Sequence, residues 1–149
     1  MPISEEPFAF QASDALHART LARLEDEQIG WLGTTGRDGF PHAVPVWFLW
    51  RDGRVIVFSE PATAKVRNIR ADDRVVFHLE GGEDGEQIAV LRGRAAISPE
   101  ETAAWLDAIG EEYGRKYAGG LEGLHMSLAD MAARYTVVLE ITPYQLIAW

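Results

Sequence analysis

Cysteine is absent from this chain of 149 residues, which excludes disulfides, zinc–thiolate centres and thiol nucleophiles. Long apolar runs are missing too: no stretch approaches the roughly 20 residues that cross a bilayer as a helix. Positive charge is scarce, with 14 Lys and Arg against 23 Asp and Glu and a net charge of -9. Nucleic-acid phosphates are met by broadly basic surfaces, so no nucleic-acid partner is expected. The histidines, His17, His42, His78 and His125, show no HExxH or other metal-ligand spacing, and no metal is assigned. His42 and His78 fall on strand-like runs and read as structural. The start, Met1-Pro2-Ile3-Ser4-Glu5-Glu6, has neither a basic segment nor an apolar one, so it does not read as a signal peptide. A cytoplasmic protein with no membrane segment is the expectation.

What is present suits one globular domain over residues 1–149, with 47% hydrophobic and 25% charged residues. Ser13 or Asp14 can cap a first helix carrying Leu16, Leu21 and Leu24, with an unfavourable acidic end at Glu25-Asp26-Glu27. Strand-like runs follow at Gln28–Thr35, Pro41–Trp50, Val55–Phe58, Arg74–Leu79, Gln87–Ile97 and Tyr135–Trp149. Asp52-Gly53 marks a tight hairpin. Ser98-Pro99-Glu100-Glu101 reads as a helix start, with helical pattern through Ile109 and breaks at Gly110 and Gly119-Gly120. A short helix from Ser127 or Leu128 to Arg134 precedes the last strand. Hairpin signals predict an antiparallel sheet of six strands with flanking helices. Pro41 and Pro45 cannot donate ladder hydrogen bonds, so their strand belongs at an edge or a bulge. That strand is apolar on both faces: one can line a barrel, the other needs a helix, a ligand or another subunit.

The densest basic cluster follows the strand ending at Ser59. Pro61 suits a first helical position, and Ser59 and Thr63 bring hydroxyls to a helix start where amides and dipole favour anions. Lys65, Arg67 and Arg70 add charge within two turns. This arrangement can hold a phosphate; it equally fits a solvated helix whose Val66 and Ile69 face the core. Most of the tryptophans read as core or interface, with Trp47 and Trp149 the ones placed to stack on a flat ligand. No nucleophile or acid–base constellation is recognisable, and Ser59 lacks the context of a nucleophile elbow.

The order Gly30-Trp31-Leu32-Gly33-Thr34-Thr35, Asp38-Gly39, Pro41-His42, Pro45-Val46-Trp47-Phe48, Ser59, Lys65-Val66-Arg67-Asn68-Ile69 and Arg74-Val75 resembles the split β-barrel superfamily of pyridoxamine 5′-phosphate oxidase-like proteins. Within it, the chain is most similar to the probable coenzyme F420-dependent reductases. The resemblance covers residues 16–98 and the closing strand through Trp149, and only loosely residues 98–134. It implies a mainly β split barrel and a homodimer with two cofactor sites between subunits. The cofactor it implies is F420, with FMN the alternative. By the same analogy Val44, Pro45, Val46 and Trp47 would line the tricyclic ring. Ser59, Thr63, Lys65 and Asn68 would hold the phosphate with Arg67 as a helper, and Trp149 would reach the partner's site. The oxidase's own substrate-binding set is not found in this sequence, so its particular activity is not implied. The expected reaction is hydride transfer from the reduced deazaflavin to an activated double bond of a small organic molecule. An FMN-binding oxidoreductase and a non-catalytic flavin- or haem-related binding protein are the alternatives.

Overall fold

The computed structural model describes residues 4–149. The first helix, α1 (Ala15–Asp26), is capped by Asp14, whose carboxylate accepts from the amides of Leu16 and His17 at 2.9 and 3.1 Å. Those bonds hold the Asp14 carboxyl below the usual carboxylate range, because they favour its charged form. The acidic end of α1 is steadied by Arg23, which pairs with Glu27 and donates to the Gln87 carbonyl at 3.0 Å.

The strands are β1 (Gly30–Thr35), β2 (Pro41–Val46), β3 (Leu49–Arg51), β4 (Arg54–Ser59), β5 (Arg74–Leu79), β6 (Ala89–Ile97) and β7 (Val137–Ala148). Helix α2 (Ala64–Ala71) follows β4, and α3 (Thr102–Lys116), α4 (Ala118–Gly123) and α5 (Leu128–Arg134) lie between β6 and β7. Among the described residues the strands form one seven-stranded sheet in the order β2-β1-β5-β6-β7-β4-β3, antiparallel throughout. Its two end strands, β2 and β3, are consecutive in the chain and joined only by Trp47-Phe48. The sheet must therefore curl until its opposite edges meet, which makes a half-barrel.

That link is also where seven strands replace the expected six. The Pro41–Trp50 run is broken because the Phe48 backbone bonds to a side chain instead of a strand. The Tyr117 hydroxyl accepts from the Phe48 amide at 2.8 Å and faces the carbonyls of Phe48 and Gln28 at 2.9 and 2.7 Å. The Lys116 ammonium donates to the same Phe48 carbonyl at 2.9 Å and lies 3.8 Å from the Phe48 ring centroid. Burial pulls that ammonium down to about 8, against the pull of Asp26, Glu112 and Glu27. A phenol and an ammonium thus close the split with side-chain hydrogen bonds.

Strand β2 lies at the sheet edge, where Pro41 and Pro45 need donate nothing outward. The ladder irregularity falls elsewhere, between Arg92 and Gly93, and a Cβ at Gly93 would run into the Thr142 carbonyl. Asp52 and Gly53 turn the β3–β4 hairpin with φ of 51° and 75°, as the Asp-Gly pair requires.

Two apolar clusters sit on either side of the sheet. Leu32, Phe48, Val57, Phe77, Leu91 and Leu139 fill the barrel, with Val66 and Ile69 of α2 packed among them. On the other side α3–α5 cover Ile56, Phe58 and Val138 with Ile109, Tyr113, Tyr117 and Met131. Helix α3 starts at Thr102, later than Ser98-Pro99 suggested. The Ser98 amide still bonds the Val138 carbonyl at 2.9 Å, and its hydroxyl accepts from Glu100 N–H and Trp105 Nε1. The helix also runs through Gly110; the change of direction comes at Tyr117, and Gly119-Gly120 lie inside α4. Ser127 and Asp130 form a reciprocal cap for α5. Pro61 stands in a turn and not at a first helical position, since α2 begins at Ala64 after Thr63. No helix among the described residues is long and apolar enough to cross a membrane.

Candidate functional site

The end of β2, the start of α2 and the α3–α5 layer enclose one cavity of about 560 Å³. Pro45, Val46 and Trp47 line it together with Lys65, so two stretches separated in sequence meet in a single site. The Trp47 indole is fixed by stacking on Tyr117, with centroids 4.5 Å apart and planes 7° from parallel. Gly120 lets α4 approach it, since a Cβ there would lie 2.7 Å from two indole atoms. The aromatic series continues from Tyr117 to Tyr113 at 4.8 Å and from Tyr113 to Phe58 at 4.9 Å.

Lys65 is half-buried, and no carboxylate among the described residues lies within salt-bridge distance of it. Burial lowers its pKa from the ordinary lysine value, and Glu60 opposes that shift through its charge. Glu60 itself is engaged elsewhere: its carboxylate accepts from Arg134 at 2.8 Å. A partly desolvated cation without a partner favours an anionic ligand. Leu121, Leu124, Met126 and Met131 make much of the remaining wall apolar, and Tyr113 and Tyr135 add phenols to it.

The other residues singled out by the sequence stand as follows. Val44 is half-buried against the barrel core. Ser59 is fully buried, donating to the Glu60 carbonyl at 2.9 Å and lying 3.2 Å from the Thr63 hydroxyl. Thr63 occupies the cap position of α2 but makes no side-chain cap bond. Arg67 is exposed and donates to the Ala62 carbonyl at 3.4 Å. Asn68 turns toward the barrel and donates to Thr34 Oγ1 at 3.0 Å, away from the cavity lining. Trp149 is 57% exposed and pairs by backbone with Ile88, outside the cavity of its own chain. His78 is satisfied by the Leu79 carbonyl at 2.9 Å, whereas His42 Nδ1 is buried without a partner among the described residues. Among the described residues no three His, Asp or Glu side chains converge as a metal site.

Sequence reading missed the wall supplied by residues 113–135. Its apolar spacing signals a buried helix face equally well whether that face meets a core or a cavity.

A curled antiparallel half-barrel with a cavity at its split, capped by helices, defines the class. The sequence matches the pyridoxamine 5′-phosphate oxidase family over residues 16–149, and the chain belongs to that family. No curated protein matches it. Among solved structures it is similar to an F420 reductase, at 23% identity and a TM-score of 0.64, covering 85% of this chain and 94% of that one. The conserved protein Rv2991 from Mycobacterium tuberculosis shares 23% identity, with a TM-score of 0.73 over 97% of this chain and 89% of that one. HutZ, a haem storage protein from Vibrio cholerae, shares 13% identity, with a TM-score of 0.68 over 89% and 94%. At these identities the likeness is one of fold.

Proposed function

We propose that this chain is an oxidoreductase whose cavity holds the phosphate-bearing deazaflavin F420. The observation that carries the reading is the unpaired, half-buried Lys65 ammonium in one cavity with Pro45, Val46 and Trp47. A cation at one place and a flat, largely apolar wall at another suit a phosphate joined to a planar tricycle. When bound, the cofactor supplies the hydride that reduces an activated double bond of a small organic substrate. Lys65 holds the phosphate by a charge-assisted contact, and the Ser59 and Thr63 hydroxyls and Arg67 stand at the same helix start. Trp47, fixed by Tyr117 and Gly120, orients the ring and keeps water from it. The similarity to an F420 reductase supports this reading.

The working unit is a homodimer formed on the outer sheet face. Strand register places Pro45, Trp31, His78, Val90 and Ile147 in one row across five strands. The next row reads Ala43, Gly33, Val76, Arg92 and Gln145. A second copy on this half-exposed face would adjoin Pro45 at the cavity, and Trp149, beyond Ile147, would extend toward the partner.

The test is a parallel titration of purified, cofactor-stripped protein with F420 and FMN, followed by tryptophan quenching. F420 binds in the micromolar range and FMN far more weakly; the reverse order moves the protein to the FMN reading. Lys65→Ala weakens the preferred cofactor by about 1.5–3 kcal/mol. An unchanged affinity in the folded variant removes Lys65 from the site. The Lys65 charge is lost as pH rises through a pKa below 10.5, so binding weakens over that rise.

A further inference from the structure

The side chains lining the cavity include no carboxylate, amide or aliphatic hydroxyl. Its polar side-chain groups are the Lys65 ammonium, the Trp47 indole N–H and the phenols of Tyr113 and Tyr135, all of which can donate. Tyr113 stands apart among them. The residue is only 2% exposed, yet its hydroxyl has no hydrogen-bond partner among the described residues and is not sealed from the cavity. Tyr117, four residues on and as buried a residue, shows the contrast: its hydroxyl meets three backbone groups. A hydroxyl that opens on a cavity takes its hydrogen-bond partner from whatever fills that cavity, because leaving it unmet once water is displaced costs free energy. Packing between Phe58 and Tyr117 fixes the Tyr113 ring, so the hydroxyl cannot swing away to solvent.

We infer that Tyr113 is a specificity-determining residue of this cavity: its hydroxyl donates to a carbonyl-type oxygen of an uncharged, otherwise apolar substrate. The substrate body rests against Leu121, Leu124, Met126 and Met131, which offer contact area and no charge. This rests on the reading that the cofactor occupies the region of Lys65 and Trp47, and it assigns the region walled by α4 and α5. Burial holds the Tyr113 phenol well above the usual tyrosine range, so it stays protonated and donating at every working pH. A charged substrate would find no counter-ion in this region, since Lys65 is committed to the phosphate. A site built around one buried donor rejects an analogue that lacks the acceptor, because the donor is then left unpaired.

The experiment is equilibrium dialysis of two nearly isosteric probes, 2-acetylnaphthalene and 2-isopropenylnaphthalene, which differ in C=O against C=CH2. Wild type, Tyr113→Phe and Tyr135→Phe are each measured with and without saturating cofactor, and each is titrated with F420 and FMN. Wild type prefers the ketone by about tenfold or more, the size of one buried hydrogen bond. Tyr113→Phe loses that preference by weakening the ketone alone, while hydrocarbon and cofactor affinities stay put; Tyr135→Phe keeps the preference. A wild type indifferent to the carbonyl, or a preference that survives in Tyr113→Phe, overturns the inference. A Tyr113→Phe chain that fails to fold overturns it too, because it would give the hydroxyl a structural partner. Ketone preference in a protein that binds neither F420 nor FMN upholds Tyr113 and sinks the cofactor reading instead.

Discussion

Tyr117 ties three parts of the chain together through one oxygen, meeting the Phe48 amide and the carbonyls of Phe48 and Gln28. Tyr117→Phe keeps the stacking on Trp47 and strips those bonds, leaving backbone groups buried without partners. It destabilises the fold by about 1–3 kcal/mol, read as a lowered midpoint in urea with an unchanged slope. Nothing in the sequence distinguishes this tyrosine from Tyr113, four residues earlier. Their four-residue spacing puts both on one buried face at the end of α3, but which hydroxyl is partnered depends on where the break after Trp47 falls. Lys65, by contrast, was legible as a candidate, because a basic cluster in an acidic chain draws notice by composition alone. Asn68 was not legible as a barrel residue: its bond to Thr34 joins a helix to a strand more than thirty residues away.

At the scale of elements, α4 sits where the cavity wall meets the barrel split. Its two adjacent glycines differ sharply. A Cβ at Gly119 meets nothing within 4 Å, whereas one at Gly120 meets the Trp47 indole at 2.7 Å. Gly119→Ala therefore leaves stability unchanged or slightly raised through helix propensity. Gly120→Ala forces Trp47 or α4 to move and costs about 1–3 kcal/mol, with a shifted tryptophan emission. Equal behaviour of the two variants in urea would contradict this placement of α4. Elements defined by local chemistry were readable: the Asp52-Gly53 hairpin, a cap for α1 at Ser13 or Asp14, and an edge or a bulge for the strand with Pro41 and Pro45. Those decided by distant partners were not. Ser98 is tied to β7 by the Val138 carbonyl, and the split at Trp47-Phe48 is set by Tyr117 at the junction of α3 and α4. A run that is apolar on both faces does not show where it breaks.

At the scale of the whole molecule, the register rows on the outer sheet face give the proposed dimer a direct test. Val76 lies at the centre of the second row, half-buried and pointing away from the barrel core. Val76→Arg leaves the monomer folded and breaks self-association, so light scattering falls from twice 16.6 kDa to that value. A wild type that runs as a monomer at micromolar concentration rejects the dimer. The antiparallel sheet was legible from its hairpin signals and the split barrel from the family resemblance, but the strand order was not, since hairpins fix sequential neighbours only. That order has a further consequence. Strand β7 lies between β6 and β4 and, among the described residues, is the sole ladder connecting β3–β4 to the other strands. Until residues 137–148 pair, the folding chain therefore carries two unjoined sheet fragments, with open edges on β4 and β6. Closure of the half-barrel waits on this one strand, and every folding state that precedes its pairing exposes edges open to chaperones and to edge-to-edge aggregation.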